Sequence, residues 1–261
     1  MRAVLALVAV LTCGPGAAAC ETMGDMLEAN VVGVPDGATL ILSSGEKVRL
    51  SGIQAPKLFS GENASMNWPL AEDAKAALDR LAAGRSIALG AGTAARDRHG
   101  RLIGQAYLDD GTWLQQAMVA AGMARAYSFA DNRLCAGALL RAEAAARAEK
   151  RGLWAYPFYA IRDAARPADI LGRAGYYELV EGRVLLADRV GASVYLNFGR
   201  YWKEDTTVTI DKAALKLFAA AGFDPMTLEG ALIRVRGWIE ANDGPRIAVT
   251  HPEQIEVLAQ P

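Results

Sequence analysis

Twice along this chain a run of short alternating strands gives way to one helix and then resumes. A chain patterned in this way has few routes to a shared core, because each strand buries only every second side chain. In the first run, residues 30–53 place Val32 and Val34, Leu40 and Leu42, then Val48 and Leu50 on one face, with Ser43-Ser44-Gly45 as a hairpin turn. A Gly-, Asn- and Ser-rich loop ends at Trp68-Pro69, and from Leu70 the apolar period turns helical through Ala74, Ala77, Leu78 and Leu81 to a stop at Gly84. Arg85 to Leu89 and Leu102 to Leu108 read as strands around a basic turn, RDRHGR. Thr112 is placed to cap a short helix that Gly122 ends, and the Ala-rich stretch from Arg133 to Arg151 forms a third helix, stopped by Gly152.

The second run repeats the order. Strands are expected at Gly182 to Asp188, Ser193 to Phe198 and Thr206 to Ile210, a helix at Lys212 to Ala221, and strands again at Leu232 to Glu240, Arg246 to Thr250 and Gln254 to Leu258. Three strands, a helix, then two or more strands is the order of an OB-type barrel. No sequence repeat relates the two runs, so their kinship is an expectation of topology alone. The fold class is mainly β with helices (α+β): a barrel domain over 20–155, a linker over 156–175 rich in Pro and Gly, and a smaller β-rich, OB-like domain over 176–261.

Residues 1–19 read as a signal peptide, with Arg2 as a positive n-region, Ala3 to Leu11 as an apolar core and Ala17-Ala18-Ala19 as the cleavage pattern. No later segment has the ~18 uninterrupted apolar residues of a membrane span, so the mature protein is expected to be exported, periplasmic or secreted. Cys13 would leave with the signal, and the remaining pair, Cys20 and Cys135, invites a disulfide in an oxidising compartment. Lipid attachment at Cys20 and two unpaired thiols are the rival readings. The formal net charge is −1, residues 20–155 balance to zero and residues 176–261 carry −3. There is therefore no overall field to draw in nucleic acid, and any such contact must come from a local patch.

Four motifs carry the chemistry: PDGAT on a strand turn, VRLSGIQAPK about a dozen residues later, RDRHGR, and the terminal RAEAAARAEKRGLW. Their order and spacing over residues 30–155 resemble the thermonuclease-like (staphylococcal nuclease-like) family. The resemblance implies a five-stranded OB barrel with three helices and, in active members, a calcium-dependent phosphodiesterase that cuts DNA and RNA. Against the family pattern, Asp36, Gly37, Thr39 and Pro56 match, and Arg49 and Arg101 fall on the two phosphate-clamping arginines. The reacting positions do not match. Ala38 and Gln54 replace the two calcium-binding aspartates, and Lys57 stands in place of the general-base glutamate.

Calcium takes six to eight oxygen ligands and its affinity follows their charge. Ala38 offers no oxygen and Gln54 only a neutral one. A lysine ammonium ~5 Å from a divalent ion is repelled by at most about 7 kcal/mol at an effective dielectric near 20, and a protonated lysine is a poor base. No calcium-dependent hydrolysis and no cofactor are therefore expected. Arg49 and Arg101 remain as a forked site for phosphate or carboxylate, or as braces of the barrel held by Asp36 or a neighbouring acid. Together with Lys57 they leave the pocket net positive against Asp36. Tyr127 either flanks a base or packs at the barrel edge. The expected function is non-catalytic binding of an anionic ligand, such as single-stranded nucleic acid, or of a protein partner. The alternative is a working nuclease with substitute carboxylates or another metal, for which Glu62, Asp97 and His99 lie in the right loops, although Asp97 also suits ordering its own turn. A third reading is an adaptor for envelope proteins that uses the second domain's surface. There FGRYWKED interleaves Phe198, Tyr201 and Trp202 with Arg200 and Lys203; stacking on bases competes with packing, Trp202 closing the barrel mouth and Trp238 lying in the core.

Overall fold

The computed structural model describes residues 20, 26–59, 61, 66–201 and 203–261. The stretch 1–19 that reads as a signal peptide, together with Glu62 and Trp202, lies outside the described residues. The first unit opens with β1 (Met26–Asp36), β2 (Thr39–Leu42) and β3 (Lys47–Leu50), followed by the short β4 (Ile53–Gln54) and α1 (Ala71–Ala82). It continues with β5 (Ser86–Arg96), β6 (Leu102–Leu108), α2 (Leu114–Ala120), β7 (Arg125–Ala126) and α3 (Ala136–Ala148). Five strands close a barrel in the order β1-β2-β3-β6-β5, with β3 parallel to β6 and the other pairs antiparallel. Leu40, Leu42, Val48, Leu50 and Ile87 fill it, and Leu78, Met118 and Leu139 seal it from α1, α2 and α3.

Three local expectations change. Val32 points outward, 64% exposed, because the β1–β2 register shifts between Val31 and Gly33 and the alternation slips by one. Thr112 does not cap α2; the cap position is Trp113, without a side-chain bond, and Thr112 instead closes the turn after β6 by accepting from the Leu108 N–H. The third helix starts at Ala136 rather than Arg133, since residues 129–132 pair in a turn of their own and Cys135 takes the cap position. Cys135 is disulfide-bonded to Cys20, Cα to Cα 5.4 Å, which ties the chain ahead of β1 to the start of α3.

The stretch expected as linker is folded. It carries a 3-10 turn (Pro157–Tyr159), β8 (Arg162–Asp163) and α4 (Pro167–Leu171), and it buries Tyr159, Ala164 and Ile170. Tyr159 joins Trp68 and Leu153 in a small apolar cluster, and its hydroxyl donates to the Pro69 carbonyl at 2.6 Å.

Beyond it come β9 (Tyr177–Arg183), β10 (Leu186–Val190), β11 (Ser193–Asn197), β12 (Thr207–Ile210) and α5 (Lys212–Ala220, capped by Asp211), then β13 (Leu232–Ala241), β14 (Pro245–Val249) and β15 (Ile255–Ala259). The strand order is β10-β11-β12-β14-β13-β9-β8, with β15 also on β13. Only Val184 and Leu185 separate β9 from β10, so the sheet curls back on itself: one bent strand begins and ends the circuit. Gly182 sits at this bend, where a Cβ would lie 2.4 Å from that of Ala164 and 2.7 Å from the Phe198 ring. With β9 and β10 counted as one strand, the circuit is 1-2-3-5-4, β12 running parallel to β14 as β3 does to β6. Both units are thus OB-type circuits with a helix between the third and fourth strands.

The units are joined through charge as well as apolar contact. Arg236 of β13, 1% exposed, donates to Glu143 of α3, 0% exposed, at 2.7 Å and to Glu256 of β15 at 2.5 Å. Glu143 also accepts from the Ala126 N–H at 2.9 Å, so one carboxylate satisfies both sides. Arg133 pairs bidentately with Glu253, and Ser128 meets His251 at 2.6 Å.

Candidate nucleic-acid interface

The turn between β1 and β2 is built for close approach. A Cβ on Gly37 would lie 2.8 Å from both Ala55 and Ala74, so glycine alone fits there. The Asp36 carboxylate accepts from the Ala38 N–H at 2.8 Å, an Asx turn, and the Ala38 methyl is buried in the barrel core. One oxygen of the acidic group left in this motif thus orders its own turn.

Arg49, on β3, reaches back under that turn. Its Nη1 donates to the Leu50 carbonyl at 2.6 Å and to the Ala38 carbonyl at 3.3 Å, and Nη2 to the Ile53 carbonyl at 2.7 Å. Burial pulls its pKa below the usual guanidinium range, Asp36 opposes that and Arg101 adds to it. The brace expected for Arg49 is therefore made of backbone carbonyls rather than of a carboxylate. Arg101 follows the β5–β6 hairpin, and its Nε donates to Asp97 at 2.7 Å. Asp97 also accepts from the His99 and Arg101 N–H groups, at 2.8 and 3.0 Å. Against the upward push of burial, these bonds hold the Asp97 carboxyl below its ordinary range.

Gln54 and Lys57 have left the site. The Gln54 side chain is buried and its Oε1 accepts from Arg125 Nη2 at 2.9 Å. Arg125 is itself buried between the rings of Tyr159 and Tyr177, 5.4 and 5.3 Å from their centroids. Lys57 lies between two tryptophan faces, 5.2 Å from Trp68 and 5.3 Å from Trp238. Lys57 does not line the cleft of the two arginines, because two tryptophan faces hold its ammonium, whereas Asp36 bonds within its own turn and its charge still acts on Arg49.

What does surround Arg49 and Arg101 is a cleft of about 630 Å³. The hairpin contributes Arg96, Asp97, Arg98 and His99; Tyr127, Phe129 and Asp131 form a second wall, and Trp238 of the second unit a third. Arg96 pairs with Glu46 across the barrel rim. Arg98 is exposed and makes no ion pair among the described residues. Tyr127 packs edge-on against Phe129 and Trp238, and its hydroxyl accepts from Trp238 Nε1 at 3.1 Å. The tryptophan expected in the core is half-buried and shared between the units. Four guanidinium groups against three carboxylates (Asp97, Asp131 and the Glu46 that pairs with Arg96), beside the exposed Phe129 ring and the half-buried Tyr127 and Trp238, make a surface suited to a phosphate chain carrying planar bases.

The residues present do not fit calcium, the ion implied for active relatives. Ala38 supplies a methyl, the Gln54 oxygen is taken by Arg125, and Asp36 is held in its turn. Among the described residues no three His, Cys, Asp or Glu side chains converge as a metal site.

Arg96, Arg98 and the RDRHGR turn were visible in the sequence as a basic run, and the structure turns that run into one wall of the cleft. The sequence places Trp238 in the core, whereas its position depends on how the two barrels dock, and it is half-buried at the cleft between them. Among the described residues no helix is long and apolar enough to cross a membrane. Compared with known proteins, residues 47–156 match the family model described as "Staphylococcal nuclease homologue". No curated protein matches the chain.

Proposed function

With its first barrel a member of the staphylococcal nuclease homologues, we propose that this chain is an exported, non-catalytic module that binds single-stranded nucleic acid, or another phosphate-bearing anion, in the arginine-lined cleft. The observation that carries this reading is the division of labour around the old reaction centre. The residues at the metal and base positions are bound to Arg125 or held between tryptophans, whereas Arg98, Arg101, Tyr127 and Phe129 still face one cavity. Arg98 supplies an exposed charge, Arg49 fixes the floor by bracing three carbonyls, and Arg101 is oriented by Asp97. The Cys20–Cys135 bridge supports export, since such bonds persist in oxidising compartments.

The test is binding of a labelled dT12 oligonucleotide by fluorescence anisotropy across a salt series, alongside its digestion with Ca²⁺, Mg²⁺ or Mn²⁺ added. Binding that weakens with salt at a log–log slope of about −2, as roughly three neutralised phosphates require, and that drops in Arg98→Ala, fits the proposal. Metal-dependent cutting abolished by Arg101→Ala would replace it with a working nuclease, a reading favoured only by Asp97, Asp131 and His99 lining the same cleft. No binding at low salt would leave the envelope-adaptor reading in its place.

A further inference from the structure

The second barrel has a cavity of its own, about 490 Å³, against the hairpin that joins β13 to β14. It lies where the first barrel places its cleft, beside the connection between the fourth and fifth strands of the circuit. Its floor is the outward face of β10, β11 and β12. Leu186, Asp188 and Val190 alternate along β10 and stand opposite Tyr195 and Thr209 across the sheet. This is the second-and-third-strand face on which OB barrels hold extended oligomers, both oligonucleotides and oligosaccharides.

Charge decides between those two. Of the cavity's cations, Arg246 donates from both Nε and Nη2 to one oxygen of Glu240, Oε2, at 2.9 and 2.7 Å. That leaves Arg200 against the carboxylates of Asp188 and Asp243, in a barrel carrying −3. A phosphate chain would meet net repulsion. The remaining groups are of another kind. Asp188, Tyr195 and Thr209 make no side-chain hydrogen bond or ion pair among the described residues, while Leu186 and Val190 are 49% and 59% exposed. Uncommitted carboxylate and hydroxyl groups beside a tyrosine ring and aliphatic side chains match a ligand with many hydroxyls and apolar C–H faces. Sugar hydroxyls would donate to Asp188 and Asp243 and accept from Arg200, and a pyranose face would pack on Tyr195.

We propose that this face of the second barrel binds a neutral oligosaccharide, a chain of hexose or N-acetylhexosamine units. The site is separate from the arginine-lined cleft and does not depend on what that cleft binds.

The test applies the full chain to an array of neutral and anionic oligosaccharides and measures the best neutral binder by calorimetry. Tyr195→Ala and Asp188→Asn should each weaken that binding at least tenfold, and Arg98→Ala should leave it unchanged. Asp188 is exposed on β10, so its substitution reports on the site even if the tyrosine variant unfolds. Capture of no neutral glycan, or capture that ignores both substitutions, overturns the proposal. So does dT12 binding that is lost in Asp188→Asn but kept in Arg98→Ala, which would make the face a nucleic-acid site.

Discussion

In the first barrel the hairpin between the fourth and fifth strands reads Asp97-Arg98-His99-Gly100-Arg101; in the second it reads Asn242-Asp243-Gly244. Both turns close on a left-handed glycine, Gly100 at φ 77° and Gly244 at φ 94°, and both overhang a cavity. The circuit sets where a cleft can form, and a handful of hairpin and strand side chains sets what it attracts. The barrels differ in fastening too. The first is stapled by Cys20–Cys135, whereas the second contains no cysteine and is held by its core and by the first barrel.

The strongest way to break this comparison is to remove the staple. The bridge closes a loop with a sequence separation of 115, for which chain entropy gives about 5 kcal/mol at 25 °C. Cys135→Ser, or reduction of the native protein, should lower the melting temperature of the first barrel by far more than that of the second. A single transition shifted as a whole would mean that the two barrels unfold together. Next in size is Glu143→Ala, which strips a partner from buried Arg236 and an acceptor from the Ala126 N–H. Glu256 still faces the guanidinium, so the expected loss is about 3 kcal/mol in denaturant unfolding. A loss under about 1 kcal/mol would show that the interface does not depend on this pair.

Acid should loosen the same interface before it reaches the carboxylates. His251 is 1% exposed, with Ser128 and Thr250 hydroxyls 2.6 and 2.9 Å from its ring nitrogens. Burial lowers its pKa to about 4, Glu253 opposing that shift and Arg133 adding to it. The unfolded chain, titrating at the ordinary 6.5, takes the proton first, so stability falls as pH drops from about 6.5 to about 4. Glu253 and Glu256 are held below their ordinary 4.5 and give up their contribution only at lower pH. In a series of urea melts, His251→Gln should flatten the slope between pH 6.5 and 4.5, and an unchanged slope would refute the assignment.

How much of this was legible follows from the range of each interaction. Strand alternation and helix period are local, so β6, spanning Leu102–Leu108, was placed to the residue, and the parallel between the two circuits was readable from element order. The departures of Ala38, Gln54 and Lys57 from the pattern that the resemblance implies were equally plain, because a motif fixes positions without needing tertiary structure. Where those side chains went was not legible. Gln54 turns to Arg125, which lies 71 residues away, and Lys57 to a tryptophan of the other barrel. Nothing in the Ala-rich helix sets Glu143 apart from its neighbouring charges, yet it is among the most buried side chains. Val32 was misjudged because a bulge is a property of the strand pair rather than of either strand.

The smallest effect isolates charge from everything else. Asp188 is exposed, lines the second cavity and makes no ion pair among the described residues, so Asp188→Lys should scarcely change stability. It reverses one charge beside Arg200, and at low salt dT12 affinity for the second barrel should rise about tenfold, with the gain screened away as ionic strength increases. The converse change, Arg98→Asp, should lower affinity in the first cleft by a similar factor while the melting temperature stays put. Anisotropy titrations of both variants at two salt concentrations read the two effects side by side. If Asp188→Lys gains nothing while Arg98→Asp still loses tenfold, then charge alone does not distinguish the clefts, and the aromatic wall of Tyr127, Phe129 and Trp238, against which the second cavity sets only Tyr195 among the described residues, would be the deciding element.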